Sequence, residues 1–461
     1  MVLQKVKNFF ESKLSVAILF AMFFVLNIFD LFYISLAFAT IYVAAIFVFC
    51  EDVKNIFAPI LVVYFIIKQM ENSAYYTLYI TCAAVGVAFF VYFLLKSIFY
   101  KHEKLTKGKM FWFLIVFFAA ILLGGIIGHF KLEQFLYLAV FCLLVYTCYF
   151  IAINYCKNLR DNLFYILLLG AFLVAFIFLA ECFKTNSFIE AILNRRVIYV
   201  GAYNINVAAG FMFLGIISCF YMAFKDKQLD FVFVILAAVL LGFVVLTFSR
   251  ASIVLGSAVF IGLLISTIIN SKNKMIILEI GFVLCVIFAV FMLIDDSFAR
   301  SLVDKLLNRI GDGANGREEL WPWCFNLFKE NWIFGAGFFS ETPVPTISGA
   351  YTNIILAHNT ILQWLTSVGV VGSLIMCVYY FGKYKIMLTN LRNAKWFSLI
   401  LIVSIAASGM VDQYASMDIA FNILIVLMLG AEEIELREVN SQEFSDRTQI
   451  LKTADFNLTQ K

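Results

Sequence analysis

The chain is predicted to be an all-α protein that crosses a membrane many times. Of its 461 residues, 63% are hydrophobic and only 14% are charged, whereas a soluble domain is roughly 45–50% apolar. The apolar residues form runs close to the ~20 residues that a transmembrane helix needs. Because backbone groups inside a bilayer must satisfy one another, these runs are expected to be helical. We therefore predict about 12–14 transmembrane helices and one long loop outside the membrane.

Fourteen apolar segments are candidates for these helices. The first pair and the short third segment could merge or turn back on the same side, which would leave about twelve. In chain order the segments lie near 14–29, 31–50, 55–68, 74–98, 110–128, 134–155, 163–181, 205–224, 231–247, 251–270, 275–294, 361–382, 396–411 and 417–431.

The basic residues predict the orientation of the chain. Lysine and arginine are concentrated in alternate loops, and loops of this kind face the cytoplasm. Both termini are therefore expected in the cytoplasm, and the long loop before the twelfth segment is expected on the outer side. The charged loops hold Lys5, Lys7 and Lys13, then Lys96–Lys109, Lys157 and Arg160, Lys225 and Lys227, Lys272 and Lys274, and Lys383–Lys395.

The chain is expected to have four parts. Residues 1–294 form a bundle of about eleven spans, residues 295–357 an outer loop with short amphipathic helices, and residues 358–431 the last spans. Residues 432–461 are polar and are expected to be a disordered cytoplasmic tail. Within the loop, the apolar spacing of Phe298–Ile310 predicts one interfacial helix.

Composition also excludes some classes of protein. The net charge of +4 is explained by the charged loops, so no nucleic-acid partner is expected. Most of the ten cysteines lie in apolar runs and no zinc-like spacing occurs, which argues against a disulfide framework. The first apolar run is followed at once by a second, so it is interpreted as a membrane anchor and not as a cleaved signal peptide.

Arginines on the outer side depart from the charge distribution and need a separate reason. Arg195 and Arg196 lie in the loop before the eighth segment, and Arg250 stands between two segments with almost no loop. Arg317 follows a glycine-rich turn in the long loop. A guanidinium binds phosphate oxygens in a planar, bidentate manner. Several arginines converging at the outer membrane edge would hold a lipid-linked diphosphate.

Each arginine also has a purely structural interpretation. The first pair could contact Glu190 or lipid headgroups. Arg250 could extend to the headgroup level along its apolar stem. Arg317 could pair with a loop carboxylate such as Asp312.

His358 lies where the long loop returns to the membrane. Asn359 follows it and Gln363 lies one helical turn further on, so polar groups continue along one helix face. His358 could simply donate to a carbonyl at the interface. Alternatively, its imidazole could act as a general base, a common role of histidine at neutral pH. It would then remove the proton from a sugar hydroxyl that displaces the diphosphate.

No metal or cofactor is predicted. The outer loops hold no D-x-D pair and no histidine cluster, and Asp295 and Asp296 are adjacent instead of being spaced for chelation. Guanidinium groups are expected to stabilise the leaving group.

Short motifs occur in a fixed order over roughly residues 200–385. They are Thr247-Phe248-Ser249-Arg250-Ala251-Ser252, Gly316-Arg317-x-x-Leu320-Trp321, Phe334-Gly335-Ala336-Gly337-Phe338, and His358-Asn359-x-x-Leu362-Gln363 followed by Gly369-Val370-Val371-Gly372. With this ordered set, the chain resembles the O-antigen ligase/polymerase superfamily of bacterial envelope glycosyltransferases.

The resemblance implies a fold of the GT-C type and an undecaprenyl-diphosphate-linked glycan as donor. It implies an active site at the periplasmic face of the inner membrane that needs neither metal nor nucleotide. The base and the diphosphate ligands of the family correspond to His358, and to Arg250 and Arg317, respectively. Arg195 and Arg196 match no motif and rest on the charge distribution alone. Inversion at the anomeric carbon is expected.

The motifs do not separate the branches of this superfamily. A ligase transfers glycan to lipid A core, a polymerase to another lipid-linked glycan, and a protein O-oligosaccharyltransferase to serine or threonine. The chain lacks the large C-terminal domain expected of the protein-directed branch, and its single outer loop favours the ligase. Ser249, Asn359 and Gln363 are expected to support the site.

Two other classes of membrane protein predict different sequence features. A flippase for lipid-linked glycans would place ionisable residues near span centres and show internal symmetry. The charged residues here lie at span ends, and no repeat occurs. A structural membrane scaffold would not need a His-Asn junction or outer arginines.

Overall fold

The computed structural model describes residues 2–459 with several gaps. The residues outside the description are 68–72, 101, 103, 128–129, 185–191, 193–204, 295–299, 302, 306, 309–316, 346–350, 390–394 and 412–417. The helices are α1 Val2–Phe10, α2 Lys13–Ile28, α3 Phe32–Phe49, α4 Phe57–Ile67, α5 Ser73–Leu95, α6 Phe111–Ile126, α7 Leu132–Tyr155, α8 Leu159–Lys184, α9 Ile205–Lys225, α10 Asp230–Leu246, α11 Arg250–Asn270, α12 Lys274–Ile294, α13 Arg317–Glu330, α14 Thr360–Leu388, α15 Lys395–Ser408 and α16 Ile419–Thr459.

The prediction of an all-α polytopic membrane protein is confirmed. Each of the fourteen predicted segments coincides with a helix, and each helix begins within four residues of the predicted start. Among the described residues, seven helices are individually long and apolar enough to cross a bilayer, and the bent pair α1–α2 makes an eighth. Other apolar helices, such as α6 and α10, are shorter. The number of crossings therefore stays a prediction.

Side-chain contacts identify the two ends of the bundle. At one end the backbone N and the Oγ1 of Thr360, at the start of α14, both donate to the Gly409 carbonyl at 2.8 Å. We call this the His358 end. At the other end Arg160 Nε donates to Glu432 Oε1 at 2.7 Å. Ser398 Oγ, near the start of α15, donates to the same oxygen at 2.6 Å. We call this the Arg160 end.

Further contacts assign the central helices to these ends. The Tyr221 hydroxyl donates to Asp161, and Lys225 Nζ lies 3.1 Å from the same carboxylate. The last turn of α9 is therefore at the Arg160 end. Ser271 Oγ donates to Asp230 Oδ2 at 2.5 Å, which joins the end of α11 to the start of α10. The opposite ends of α10 and α11, where Arg250 lies, are consequently at the His358 end.

The polar C-terminal segment differs from the expectation of disorder, because α16 continues through it to Thr459. Glu432 and Glu433 are both buried, which is possible because each carboxylate has donors. Arg160 holds Glu432 through two nitrogens, at 2.7 and 2.8 Å. Glu433 accepts from the Lys109 backbone N at 2.9 Å and from the Tyr149 hydroxyl at 2.5 Å. Paired charges can be buried, whereas isolated ones would unfold the segment.

The long loop contains a β-hairpin that was not predicted. Strand β1 (Phe339–Pro345) pairs antiparallel with β2 (Tyr351–Ile354). The interfacial helix predicted over Phe298–Ile310 is only partly described, and residues 300, 301, 303–305, 307 and 308 are helical. The described part of the loop also contains α13.

Candidate functional site

Helix α14 is broken at Gly369, and the loop after α13 fills the break. Gly369 has φ 66° and ψ −166°, far from helical values. Two backbone groups of the loop, the carbonyls of Trp332 and Ile333, accept from Val370 N at 2.8 Å and Val371 N at 3.1 Å. The break therefore satisfies its backbone groups with the loop instead of with the helix.

The loop donates in return on the other side of the break. Ala336 N donates to the Thr366 carbonyl at 2.7 Å and Gly337 N donates to the Ser367 carbonyl at 3.0 Å. Gly335, at φ 77°, lies so close that a Cβ there would be 2.4 Å from the carbonyl carbon of Ser367. Only glycine permits this approach. The two glycine motifs of the sequence thus form one interlock that fixes the outer loop to a membrane helix.

Gln363 shapes the turn that carries His358. Its side chain is fully buried and makes three bonds. Oε1 accepts from Ala357 N at 2.8 Å, while Nε2 donates to the Ile355 carbonyl at 2.9 Å and to Ser367 Oγ at 2.8 Å. Gln363 therefore ties the three residues before His358 to the first turns of α14, and its role is to position the turn.

His358 itself has a left-handed backbone and a partly exposed side chain. Its φ is 48°, a conformation that a non-glycine residue adopts at a cost and that is often found at functional sites. Asn359, the next residue, caps α14 by accepting from Leu362 N at 2.9 Å. The cap begins α14 immediately after His358, so this residue lies directly before the start of the helix.

Helix α13 brings Arg317 to this turn. Trp321 Nε1 donates to the Ala357 carbonyl at 2.9 Å. Leu320, Cys324 and Ala357 form a small buried cluster, so the first turns of α13 pack directly on the residue before His358. Arg317 is the first residue of that helix, which places its side chain at the same rim.

Carbonyl groups directly after α15 accept hydrogen bonds from α13 and from the turn that carries His358. Arg317 Nη2 donates to the Val411 carbonyl at 2.6 Å, and Asn359 Nδ2 donates to the Met410 carbonyl at 2.8 Å. Thr360 donates to the carbonyl of Gly409. The carbonyls of residues 409–411 are consecutive and follow α15, and we call them the carbonyl seat. Because three donors bind adjacent acceptors, Arg317 and the His358 turn are fixed relative to each other.

One donor of Arg317 has no partner within the described part of the chain. Its Nε is buried and donates to no protein oxygen there, although Nη2 is bonded. A buried guanidinium N–H without an acceptor costs about 1–3 kcal/mol. An anionic oxygen bound at the rim would satisfy this group.

Arg250 begins α11 at the same end of the bundle. Phe248, two residues earlier, has φ 52° and a buried ring, with Lys305 Nζ 5.5 Å from the ring centre. Ser249 is also buried, and its Oγ donates to Ser252 Oγ at 3.3 Å. These contacts fix the turn from which Arg250 projects. Helix α11 packs against α15, whose end forms the carbonyl seat.

Cys324 is not suited to act as a nucleophile in the site. Burial raises the pKa of its thiol to about 12, so the sulfur stays protonated at neutral pH. In the residues that the structure describes, no group of three His, Cys, Asp or Glu side chains has the arrangement of a metal site.

The structure thus brings together part of the predicted site. Arg317, Asn359 and the His358 turn meet at the carbonyl seat, and Arg250 lies at the same end. Gln363 and Ser249 are buried beneath this surface. The remaining predicted contacts involve residues outside the described ranges, namely Arg195, Arg196, Glu190 and Asp312.

Sequence reasoning missed the carbonyl seat and the role of Trp321. Trp321 belongs to the motif Gly316-Arg317-x-x-Leu320-Trp321, but a tryptophan in a motif does not show which carbonyl its indole N–H contacts. The seat is made of backbone atoms, which carry no residue-type signal. Only Gly409, at the end of an apolar run, indicated that the helix stops there.

Comparison with known proteins found one family model that matches part of the chain. Residues 234–377 match the family model described as O-Antigen ligase. The matched range begins in α10 and ends in α14, so it contains Arg250, α13, His358 and the broken helix. No curated protein matches the chain in sequence. The matched region contains Arg250, Arg317 and His358, and it supports the resemblance of this chain to the O-antigen ligase/polymerase superfamily.

Proposed function

We propose that the chain transfers a glycan from an undecaprenyl-diphosphate carrier to an acceptor hydroxyl at the periplasmic face of the inner membrane. The observation that carries this proposal is the common attachment of Arg317 and the His358 turn to the carbonyl seat. The guanidinium of Arg317 binds the Val411 carbonyl, and the two residues that follow His358 bind the neighbouring carbonyls. A guanidinium and a histidine turn fixed in this way suit a reaction that expels a phosphate leaving group beside a base.

Arg317 and Arg250 bind the diphosphate. Arg317 Nε has no acceptor in the described structure, so a phosphate oxygen would complete its hydrogen bonding. Nη2 is held by Val411 O at 2.6 Å, which fixes the guanidinium plane. Arg250 adds a second positive charge from the start of α11. Because arginine is permanently charged, both groups stabilise the charge that develops on the leaving diphosphate.

His358 acts as the general base. It removes the proton from the acceptor hydroxyl while that oxygen attacks the anomeric carbon of the donor glycan. The new glycosidic C–O bond forms as the C–O bond to the diphosphate breaks, and the carrier leaves as undecaprenyl diphosphate. The imidazolium then returns its proton to solvent. Attack on the face opposite the leaving group inverts the anomeric configuration, and in this scheme no metal is required.

Lipid A core is the acceptor that we propose, with chain extension on a second lipid-linked glycan as the alternative. The described part of the outer loop consists of α13, the β1–β2 hairpin and the interlock with α14. This supports a ligase, where a polymerase would need to hold two large glycans. Arg195 and Arg196 are proposed as further contacts to the donor, on the charge distribution alone.

The acceptor can be identified by reconstituting the chain in lipid with an undecaprenyl-diphosphate glycan and a chelator. Lipid A core is added to one sample and a second lipid-linked glycan to the other. Glycan on the core supports the ligase, and lengthening on the carrier supports the polymerase. Transfer to neither acceptor, with carrier movement between leaflets, would contradict the proposal and favour a flippase. Arg317→Gln serves as the site control, with Lys329→Gln at the other end of α13 as its match.

A further inference from the structure

A cavity at the Arg160 end has the features of a second anion site. Its volume is about 580 Å³, within the size range of small-molecule pockets. It opens between the first turn of α2, the side of α8, the last turn of α9 and the loop before α10. Lys13, Lys225 and Lys227 line it, together with a single acidic residue, Asp226.

The acidic residue of this cavity is already engaged by the backbone. Asp226 Oδ1 accepts from Gln228 N at 3.0 Å and from Leu229 N at 3.2 Å. These bonds close the loop between α9 and α10 and turn the carboxylate toward backbone N–H groups. The lysines of the lining therefore keep an excess of positive charge in the cavity.

Two of the lysines are held over aromatic rings. Lys13 Nζ lies 5.3 Å from the Tyr165 ring centre, and Lys227 Nζ lies 5.1 Å from that of Phe224. A cation–π contact orients an ammonium group but uses none of its capacity to bind an anion. Lys225 differs, since its Nζ pairs with Asp161 at 3.1 Å. Lys13 and Lys227 are consequently the cations best able to bind a ligand.

The cavity lies at the level of a membrane surface. Helix α1 is amphipathic and bends by 69° away from α2, as a helix lying in the interface does before a spanning helix begins. Lys13 is the first residue of that spanning helix. Leu14 and Leu229, the chain neighbours of the lining residues Lys13 and Gln228, are 62% and 47% exposed. Exposed apolar side chains of this kind suit contact with acyl chains, so we expect the cavity to open toward lipid.

The inner wall of the cavity is apolar. Leu168 and Met222 are buried in it, and Phe233 is partly buried. A positively charged mouth above an apolar wall matches a lipid headgroup whose phosphate is followed by hydrocarbon. Basic pockets between transmembrane helices are recognised sites for anionic lipids.

We propose that this cavity binds the phosphate headgroup of an anionic phospholipid of the surrounding bilayer. The phosphate contacts Lys13 and Lys227, and the acyl chains follow Leu168 and Met222. Because Lys13 belongs to α2 and Lys227 to the loop between α9 and α10, a bound lipid joins the N-terminal helices to the central ones. The site lies at the end opposite His358 and is independent of the glycan-transfer reaction.

The test measures lipid retention by the full chain in an uncharged detergent, using native mass spectrometry. Phosphatidylglycerol is titrated against phosphatidylcholine of the same chain length. The wild type is compared with the double variant Lys13→Gln/Lys227→Gln and with Lys274→Gln, an exposed lysine at the same end outside the cavity. Each lysine near an anionic headgroup contributes roughly a fivefold factor in affinity, so the pair should lower it about 30-fold.

The outcomes separate the sources of phosphate. The site is supported if the wild type retains phosphatidylglycerol in preference to phosphatidylcholine. This preference should fall about 30-fold in the double variant and stay unchanged in Lys274→Gln. Equal retention of both lipids, or equal loss in both variants, overturns it. Displacement of the lipid by inorganic phosphate, at an ionic strength matched with chloride, would assign the cavity to free phosphate and overturn the lipid proposal. Thermal unfolding of each variant verifies that the helices remain folded.

Discussion

Arg317 and Asn359 bind adjacent carbonyls of one chain segment, at 2.6 Å to Val411 O and 2.8 Å to Met410 O. The two residues are 42 positions apart and come from different helices, α13 and α14. Their common attachment fixes the distance between the guanidinium of Arg317 and the residue next to Asn359, which is His358. A diphosphate ligand and a general base need such a fixed relation, because small displacements are costly in catalysis.

Replacing Arg317 by lysine is expected to impair donor binding although the charge is kept. Lysine cannot supply the planar pair of N–H groups, so the Nε position that lacks an acceptor in the described structure would be lost. We expect kcat/KM to fall about 10–100-fold, which corresponds to about 1.4–2.7 kcal/mol. The measurement is initial-rate kinetics at varied donor concentration, with Lys329→Arg as a matched exchange on the same helix. Kinetics equal to wild type would show that Arg317 acts only as a charge.

Replacing Gln363 by leucine is expected to loosen the His358 turn. The substitution removes three hydrogen bonds and leaves the buried Ala357 N–H and Ile355 carbonyl without partners. Each buried unsatisfied group costs about 1–3 kcal/mol. Ser367→Ala removes only the third bond and should cost less. Transfer rate and thermal unfolding are measured together for both variants. A folded Gln363→Leu protein with the wild-type rate would rule out the positioning role.

The interlock between the loop and α14 predicts a strong preference for glycine. In Gly335→Ala the new Cβ would lie 2.4 Å from the backbone of Ser367, and φ is 77°. We expect a loss of about 2–4 kcal/mol in the free energy of unfolding. Gly262→Ala, on α11, is the control because nothing lies within 4 Å of its Cβ position. That change should be neutral or should stabilise the helix by up to about 1 kcal/mol. Similar unfolding curves for the two variants would contradict the interlock.

The buried ion pair at the Arg160 end is expected to contribute far more to the stability of the fold than an exposed ion pair does. Arg160 and Glu432 have side-chain exposures of 7% and 1%. In Glu432→Gln the buried guanidinium of Arg160 therefore loses the negative charge of the carboxylate that binds it. The expected cost is about 3–5 kcal/mol. Asp30→Asn breaks the exposed contact to Lys184, at 3.2 Å, and should cost less than about 1 kcal/mol. Unfolding by a denaturing detergent compares the two, and equal effects would exclude a buried, stabilising pair.

Helix positions could be predicted from the sequence because the bilayer imposes a length and an apolar composition on each span. The continuation of α16 into the polar C-terminal segment could not be predicted. The burial of Glu432 and Glu433 in that segment depends on partners such as Arg160 and Tyr149, which are more than 250 positions away. A run of charges indicates solvent exposure unless such partners are known.

The same contrast applies to the candidate site. His358, Arg250 and Arg317 could be selected because a histidine at a loop–helix junction and arginines on the outer side are unusual in a membrane protein. The interlock at Gly369 and the carbonyl seat could not be predicted, because both consist of backbone hydrogen bonds between distant segments. Gln363 was expected to support the site, but its three hydrogen bonds to the turn before His358 and to Ser367 could not be predicted.

The central claim is that His358 removes the proton of the acceptor while Arg317 holds the donor. The most direct test is single-turnover transfer by His358→Asn, because asparagine tolerates the left-handed backbone at φ 48° but is not a base. His102→Asn is the matched control, since His102 also has a positive φ of 53° and lies in the loop between α5 and α6. We predict that His358→Asn binds donor with nearly wild-type affinity and loses transfer by about 100-fold or more, while His102→Asn is fully active. Transfer by His358→Asn at the wild-type rate would contradict the account.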